Sequence, residues 1–75
     1  MEKKGIREID VNWEDKDEAI KVVMDFEKRG RCELGDIESY NRDGIRVTTI
    51  YLENCDFSTW LEIERFMKEE EIRVM

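Results

Sequence analysis

The spacing of the apolar residues along this 75-residue chain changes from a two-residue period to a helical period, and later does so again. A two-residue period is typical of a strand with one buried face, and spacings of three and four residues are typical of an amphipathic helix. From one end to the other, the pattern predicts strand, helix, strand, strand, helix, strand. That order favours an antiparallel sheet packed against two helices.

The first half of the chain predicts one strand and one helix. Apolar and polar residues alternate between Gly5 and Trp13, as in a half-buried strand. Asp15, followed three residues later by Glu18, predicts a capping box at a helix start. Helical spacing then continues as far as Gly30, a residue type that favours the left-handed conformation at helix ends. The apolar residues of this helix are Ala19, Ile20, Val22, Val23, Met24 and Phe26.

The middle of the chain predicts a hairpin. Residues 31–40 and 45–52 have strand-like patterns, and the second is dense in β-branched and aromatic residues, which strands favour. Asp43 and Gly44 lie between them, and this pair is a strong signal for a two-residue turn.

The remaining residues predict a second helix and a short last strand. Asp56 or Ser58 is suited to cap the helix, and a broad apolar arc follows. Residues 71–75 alternate again, as a strand would. The apolar arc contains Phe57, Trp60, Leu61, Ile63, Phe66 and Met67.

These elements predict a single α+β domain over residues 1–75 with the ferredoxin-like split βαβ topology, β-α-β-β-α-β. In that fold a four-stranded antiparallel sheet carries both helices on one face. The right-handed crossover rule gives the spatial order fourth, first, third, second. The main rival is a three-stranded sheet whose last five residues hang free or pair with another copy.

Neither a membrane span nor a secretory signal is expected. The longest apolar runs, 22–24 and 50–52, have three residues each, whereas about 20 are needed to cross a bilayer. The first five residues are charged and lead into an alternating segment without an apolar core. We therefore expect a cytoplasmic protein.

The two cysteines face each other if the hairpin pairs regularly. A two-residue turn at Asp43 and Gly44 makes the numbers of paired residues sum to 87, which places Cys32 opposite Cys55. Such a pair would be a disulfide in an oxidising compartment, or a dithiol or redox switch in the cytosol. We favour the other interpretation, in which two buried thiols fill an edge of the core. A bulge at Gly35 would shift the register and separate them.

No metal or cofactor site is predicted. The chain has no His, and its Cys residues lack a Cys-x-x-Cys spacing, so a zinc site would need carboxylates to complete its ligands. Residues 41–44 match part of a calcium-binding loop. Position 12 of such a loop would fall on Ile50, where a Glu is required.

Two glutamates lie inside or beside the apolar helix arcs, Glu27 and Glu64, and could in principle form an acid/base pair. We favour structural roles for both. Glu27 lies in the last turn of its helix, and Glu64 can reach water or pair with Lys68 four residues on. Because there is also no His for general base work and no Gly-rich phosphate loop, we predict that the protein is not an enzyme.

The charge of the chain disfavours direct nucleic-acid binding. Its 20 acids and 13 bases give a net charge of −7, whereas phosphate binding calls for a basic face. Residues 56–71 hold six acids against two bases. This excess is either a solvated helix face or an acidic surface for a basic protein partner. The candidate acids are Glu62, Glu64, Glu69, Glu70 and Glu71.

Trp13 and Trp60 each flank a predicted helix start. Packing over the end of the sheet is one interpretation of these residues. The other is an exposed aromatic anchor of a protein interface, where Trp is enriched.

The leading hypothesis is a small non-catalytic protein that binds a protein partner. It would also form a homodimer through apolar residues on the face of the sheet that the helices leave open. One alternative is an acidic inhibitor that presents carboxylates in place of phosphates and so blocks a nucleic-acid-binding enzyme. A second is a regulatory domain for a small ligand, although residues 12–15 lack the Gly that close backbone approach requires. The residues named for the dimer face are Ile6, Tyr40, Val47 and Tyr51.

Overall fold

A computed structural model describes residues 5–75 of the chain. The first four residues, on which the expectation of no secretory signal partly rests, lie outside this part. Neither helix within residues 5–75 has the length and apolar content needed to span a bilayer. The elements are β1 (Gly5–Asn12), a 3-10 turn (Trp13–Asp15), α1 (Lys16–Lys28), β2 (Glu33–Arg42), β3 (Ile45–Cys55) and α2 (Phe57–Glu69).

The three strands form one antiparallel sheet in the order β1-β3-β2. The α+β class is therefore retained, but the predicted four-stranded, ferredoxin-like sheet is wrong. The reason lies at the end of α2, where Glu71 adopts a left-handed φ of 62° and Ile72 still donates its N–H to the last helical turn. Only residues 73–75 then lie along β1, where Val74 makes a single bridge with Val11.

The two helices begin in different ways. The carboxylate of Asp56 accepts the N–H of Thr59 at 2.8 Å and caps α2, as predicted. Asp15 precedes α1 but makes no capping hydrogen bond from its side chain, so the predicted capping box is wrong. Its carboxylate instead accepts a hydrogen bond of 2.9 Å from Nε of Arg73. This contact ties the C-terminal segment to the start of α1.

The hairpin turn is confirmed. Asp43 and Gly44 both have positive φ, 50° and 82°, as a two-residue turn of type I′ requires. The cross-strand partners near the turn follow the predicted register, with Tyr40 opposite Val47 and Ile37 opposite Ile50.

A bulge interrupts β2 further from the turn. The register shifts between Leu34 and Ile37, at the position of Gly35, where a bulge would break the predicted pairing of the cysteines. Cys32 and Cys55 are both free and buried in this structure. They fill an edge of the core, which is the interpretation favoured from the sequence.

The core lies between one face of the sheet and the two helices. It contains buried apolar residues from β1, β3 and both helices, because each of these presents its apolar stripe to this layer. Strand β2 contributes only Leu34, which is partly buried and packs against the core. Its members with almost no exposed surface include Ile9, Val11, Val23, Phe26, Ile50, Leu52, Ile63 and Met67. The opposite face of the sheet carries no helix and is the surface considered next.

Candidate protein-binding site

The face of the sheet without helices has two halves of different chemistry. Alternation along the strands sends every second side chain to this face, and the observed pairing places residues from all three strands side by side. We call the half near the hairpin turn the polar cluster: Asp10, Tyr40, Arg42 and Thr49. We call the other half the acidic surface: Ile6, Glu8, Asp36, Glu38, Tyr51 and Glu53.

The polar cluster is satisfied by contacts within the chain. Arg42 donates to the carboxylate of Asp10 at 2.9 Å and to the hydroxyl of Tyr40. Thr49 donates to the other oxygen of Asp10 at 2.6 Å. Val47, which neighbours Tyr40 across the hairpin, has no exposed surface. The folded monomer thus already buries one of the four residues predicted to form a dimer face.

The acidic surface surrounds a groove of about 250 Å³. Tyr51 lies opposite Glu8 in the β1–β3 pairing and donates its hydroxyl hydrogen to Glu38 at 3.3 Å. Ile6 is 75% exposed at the rim. The residues that line the groove are Ile6, Asp36, Glu38, Tyr51 and Glu53.

The acids of the acidic surface have no cation partner among residues 5–75. Within residues 5–75, none of the ion pairs involves Glu8, Asp36, Glu38 or Glu53. This negative charge also acts on Tyr51. The charge of Glu38 raises the pKa of the Tyr51 hydroxyl, and burial and the charge of Glu8 act in the same direction. Within the described part of the chain, four carboxylates without a paired cation give this half a negative potential.

The bulge in β2 helps to place the acids on this face. Leu34 and Asp36 are two residues apart and would share one face of a regular strand. In the structure Leu34 packs against the core, whereas Asp36 lines the groove on the open face. The irregularity between Leu34 and Ile37 makes this change of face possible.

Sequence reasoning missed the acidic surface. Its four acids are scattered over residues 8 to 53, so no stretch of the chain looks strongly acidic there. The signal was available in the hairpin register, which pairs Glu38 with Thr49 and so places it beside Tyr51 on the same face.

The acids predicted on the second helix are partly compensated. Glu62 forms an ion pair of 2.6 Å with Arg31, and Glu64 lies 3.7 Å from Lys68. Glu69, Glu70 and Glu71 are exposed at the end of α2. The structure therefore brings three of the five predicted acids together without cation partners among the described ion pairs.

Trp13 and Trp60 are both half-buried and held by contacts within the chain. The centre of the Trp13 ring lies 4.3 Å from Nζ of Lys16 and 4.2 Å from Cζ of Arg46, so both cations contact its π system. Trp60 donates its indole N–H to the carbonyl of Glu8 at 3.0 Å.

The remaining residues that the sequence singled out have structural contacts. Glu27 is exposed and accepts the N–H of Leu34 at 3.0 Å, while Glu64 pairs with Lys68. Burial raises the pKa of the Cys55 thiol to about 11, with Cys32 contributing in the same direction. Burial also raises the pKa of Cys32, so both thiols are protonated at neutral pH.

Within residues 5–75, no three acidic or cysteine side chains are arranged to hold a metal ion. Comparison with known proteins finds no matching family model, no matching curated protein and no matching solved structure.

Proposed function

We propose that this chain is a small, non-catalytic binding domain whose acidic surface docks a basic segment of a partner protein. The observation that carries the proposal is the concentration of Glu8, Asp36, Glu38 and Glu53 on one open sheet face without an ion-pair partner among the described residues. Charged groups that keep no partner inside the fold are available to steer and orient a partner of opposite sign.

The groove suits the side chains of Lys and Arg. Both have an apolar stem that packs on apolar surface while the charged head reaches polar groups. Ile6 and Tyr51 provide apolar surface in the groove, and the carboxylates of Asp36, Glu38 and Glu53 surround it. A basic segment can therefore bury its stems and neutralise the carboxylates at the same place.

The state of the nucleophilic groups supports a non-catalytic role. The thiols of Cys32 and Cys55 have raised pKa values and are buried, whereas reactive thiols have lowered pKa values and are accessible. The side chains of the loop after β1 are also engaged. Asn12 accepts the N–H of Glu14 at 2.9 Å, and Asp15 binds Arg73. We therefore rank a small-ligand domain built on residues 12–15 below protein binding.

The test compares three immobilised forms of the protein in affinity capture from an extract of the source cells. They are the wild type, the variant Glu8→Gln/Glu38→Gln/Glu53→Gln, and the matched control Glu69→Gln/Glu70→Gln/Glu71→Gln. Both triple variants remove three negative charges, so a general effect of net charge would weaken partner binding equally in both. The proposal predicts a basic protein that the wild type and the control retain and that the sheet variant loses.

A partner bound equally by all three forms would contradict the proposed site. If only the control variant lost the partner, the binding surface would instead lie at the end of α2.

Mimicry of nucleic-acid phosphates is a second candidate function, and the same acidic surface favours it. Carboxylates without cation partners on an open sheet face can occupy a cleft that binds phosphates. The two candidates differ in what the partner does. If the captured protein binds DNA or RNA, the wild type should displace that nucleic acid from it and the sheet variant should not. A partner that holds its nucleic acid and this chain together would exclude mimicry.

A further inference from the structure

The two outer edges of the sheet differ in how far their backbone groups are hydrogen-bonded. On the β1 edge, outward backbone groups bond to other parts of the protein. The carbonyl of Glu8 accepts from the indole of Trp60. The carbonyl of Asp10 accepts from Met75 at 2.8 Å, and the N–H of Asn12 donates to Arg73 at 2.9 Å. This edge is closed to another strand.

Among residues 5–75, the β2 edge is covered only near its start. There the carboxylate of Glu27 accepts the N–H of Leu34 at 3.0 Å. In a hairpin with a two-residue turn, the residues that flank the turn form a hydrogen-bonded pair, and such pairs then alternate along the strands. Arg42, Tyr40 and Glu38 therefore bond to β3, and residues 37, 39 and 41 point their backbone groups outward.

Those outward groups have no partner among the residues that the structure describes. Within residues 5–75, no hydrogen bond involves the backbone of Ile37, Ser39 or Asn41 on that side. Unpaired edge groups of this kind are a template for another strand. The bulge before Ile37 ends the regular template at one end, and the turn ends it at the other.

We propose that residues 37–41 of β2 pair with the same residues of a second copy, antiparallel and about a two-fold axis at Ser39. This register places Ser39 opposite Ser39 of the second copy and Ile37 opposite its Asn41. All three outward-facing residues of each chain then lie in hydrogen-bonded pairs. Two bonds for each pair give about six across the interface.

Charge complementarity identifies the occupant as a second copy. Antiparallel pairing about Ser39 puts Asp36 of one chain opposite Arg42 of the other, and Glu38 opposite Tyr40. The Arg42 side chain keeps its contact with Asp10 and is still 45% exposed, so its guanidinium is accessible to Asp36 of the other chain. The acidic surface of one copy thus lies beside the polar cluster of its partner, and both open faces point to the same side of a continuous sheet. Cross-strand pairs of opposite charge stabilise such a register. The inference does not depend on the proposed function.

The first test is the mass of the wild-type protein by sedimentation velocity, from low micromolar to near-millimolar concentration. The proposal predicts a rise from the monomer mass of 9.1 kDa towards twice that value. The interface is small compared with stable dimers, so the dimer is expected at high concentration only. Amide hydrogen exchange of Ile37, Ser39 and Asn41 should slow as the dimer forms, while that of Glu38 and Tyr40 should not change.

Two sets of variants locate the interface. Ser39→Pro removes the central outward N–H, and an edge strand tolerates Pro where the N–H faces solvent; we expect the dissociation constant to rise about tenfold or more. Ser39→Ala is the control, because it loses only the contact with Thr48. Asp36→Arg and Arg42→Glu should each be monomeric alone and form a heterodimer when mixed, since mixing restores both opposite-charge pairs.

A wild-type mass that stays at 9.1 kDa at every concentration would overturn the proposal. It would also be overturned if the two charge variants failed to associate on mixing, or if folded Ser39→Pro dimerised as well as the wild type.

Discussion

Gly35 has little space for a side chain. A Cβ atom at this position would lie 2.8 Å from a carboxylate oxygen of Glu53 and 3.0 Å from the backbone carbonyl of Tyr51. The side chain of Glu53 could move away, but the carbonyl belongs to β3 and is fixed by the sheet. The close approach of β2 to β3 at the bulge therefore depends on glycine.

We predict that Gly35→Ala lowers the free energy of unfolding by about 1–3 kcal/mol, the usual range for forced overpacking. Urea denaturation monitored by tryptophan fluorescence measures it. Gly5→Ala is the matched control, because a Cβ there meets nothing within 4 Å, and it should leave stability nearly unchanged. Equal midpoints for the two variants would show that β2 does not approach β3 as closely as described.

Burial of the Cys55 thiol predicts that the stability of the protein falls at alkaline pH. The pKa of Cys55 is raised from 9.0 to about 11 in the folded state, so the unfolded chain loses this proton first as the pH rises. The stabilising effect of the buried thiol is fully present below pH 9.0 and is lost as the pH rises through about 11.

Denaturant titrations between neutral pH and pH 11 should show this decline, and Cys55→Ala should show a smaller one. Below pH 9, alkylation of the folded protein should be slow, while the unfolded protein should yield two free thiols. Flat stability across this range would contradict the burial of Cys55.

At the scale of the elements, the C-terminal segment is held to β1 by few contacts. Besides two backbone bonds and the Val74 bridge, Arg73 attaches the segment to the start of α1 through Asp15 at 2.9 Å and Glu14 at 3.2 Å. The backbone N–H of Arg73 donates to the carboxylate of Asp15 at 3.0 Å. These hydrogen bonds from Arg73 lower the pKa of Asp15 below its usual 3.8.

Asp15→Asn should loosen this segment. We predict faster amide hydrogen exchange at Asn12 and Met75, whose N–H groups bond between the segment and β1, with little change in α2. Lowering the pH should loosen the same segment in the wild type. Because the folded-state pKa is lowered, the contribution of Asp15 is present above pH 3.8 and is lost as the pH falls through the lower value. Unchanged exchange at both amides would contradict the attachment. Glu70→Gln is the control, because Glu70 is exposed and directly follows the last residue of α2.

The elements show how far the sequence predicts this fold. Both helices, the hairpin turn and the Asp56 cap follow from local patterns, because capping, turn chemistry and periodicity act over a few residues. The predicted fourth strand does not form because residues 71 and 72 belong to the turn that closes the end of α2. The alternating pattern of the tail does not reveal this turn. The role of Asp15 also depends on Arg73, 58 residues away. Such tertiary contacts override local signals.

At the scale of the whole molecule, the acids that are close together in the sequence are not the same as those that are close together on the folded surface. Summing the sequence by segment places the excess on α2, yet Glu62 and Glu64 have cation partners there. The acids of the sheet come from three strands and lie together only after pairing. The net charge of −7 could therefore be counted from the sequence, while the grouping of four acids on the open sheet face required the strand register and the bulge.

A basic segment that binds the acidic surface should perturb the residues that form it. Isotope-labelled protein is titrated with hexalysine at low ionic strength, and binding is followed by amide chemical shifts. We expect the largest changes at Ile6, Glu8, Tyr51 and Glu53. We also expect weaker binding by Glu8→Gln/Glu38→Gln/Glu53→Gln than by the control that replaces residues 69–71. Changes centred on residues 69–71, or equal affinities for the two variants, would contradict binding at the acidic surface.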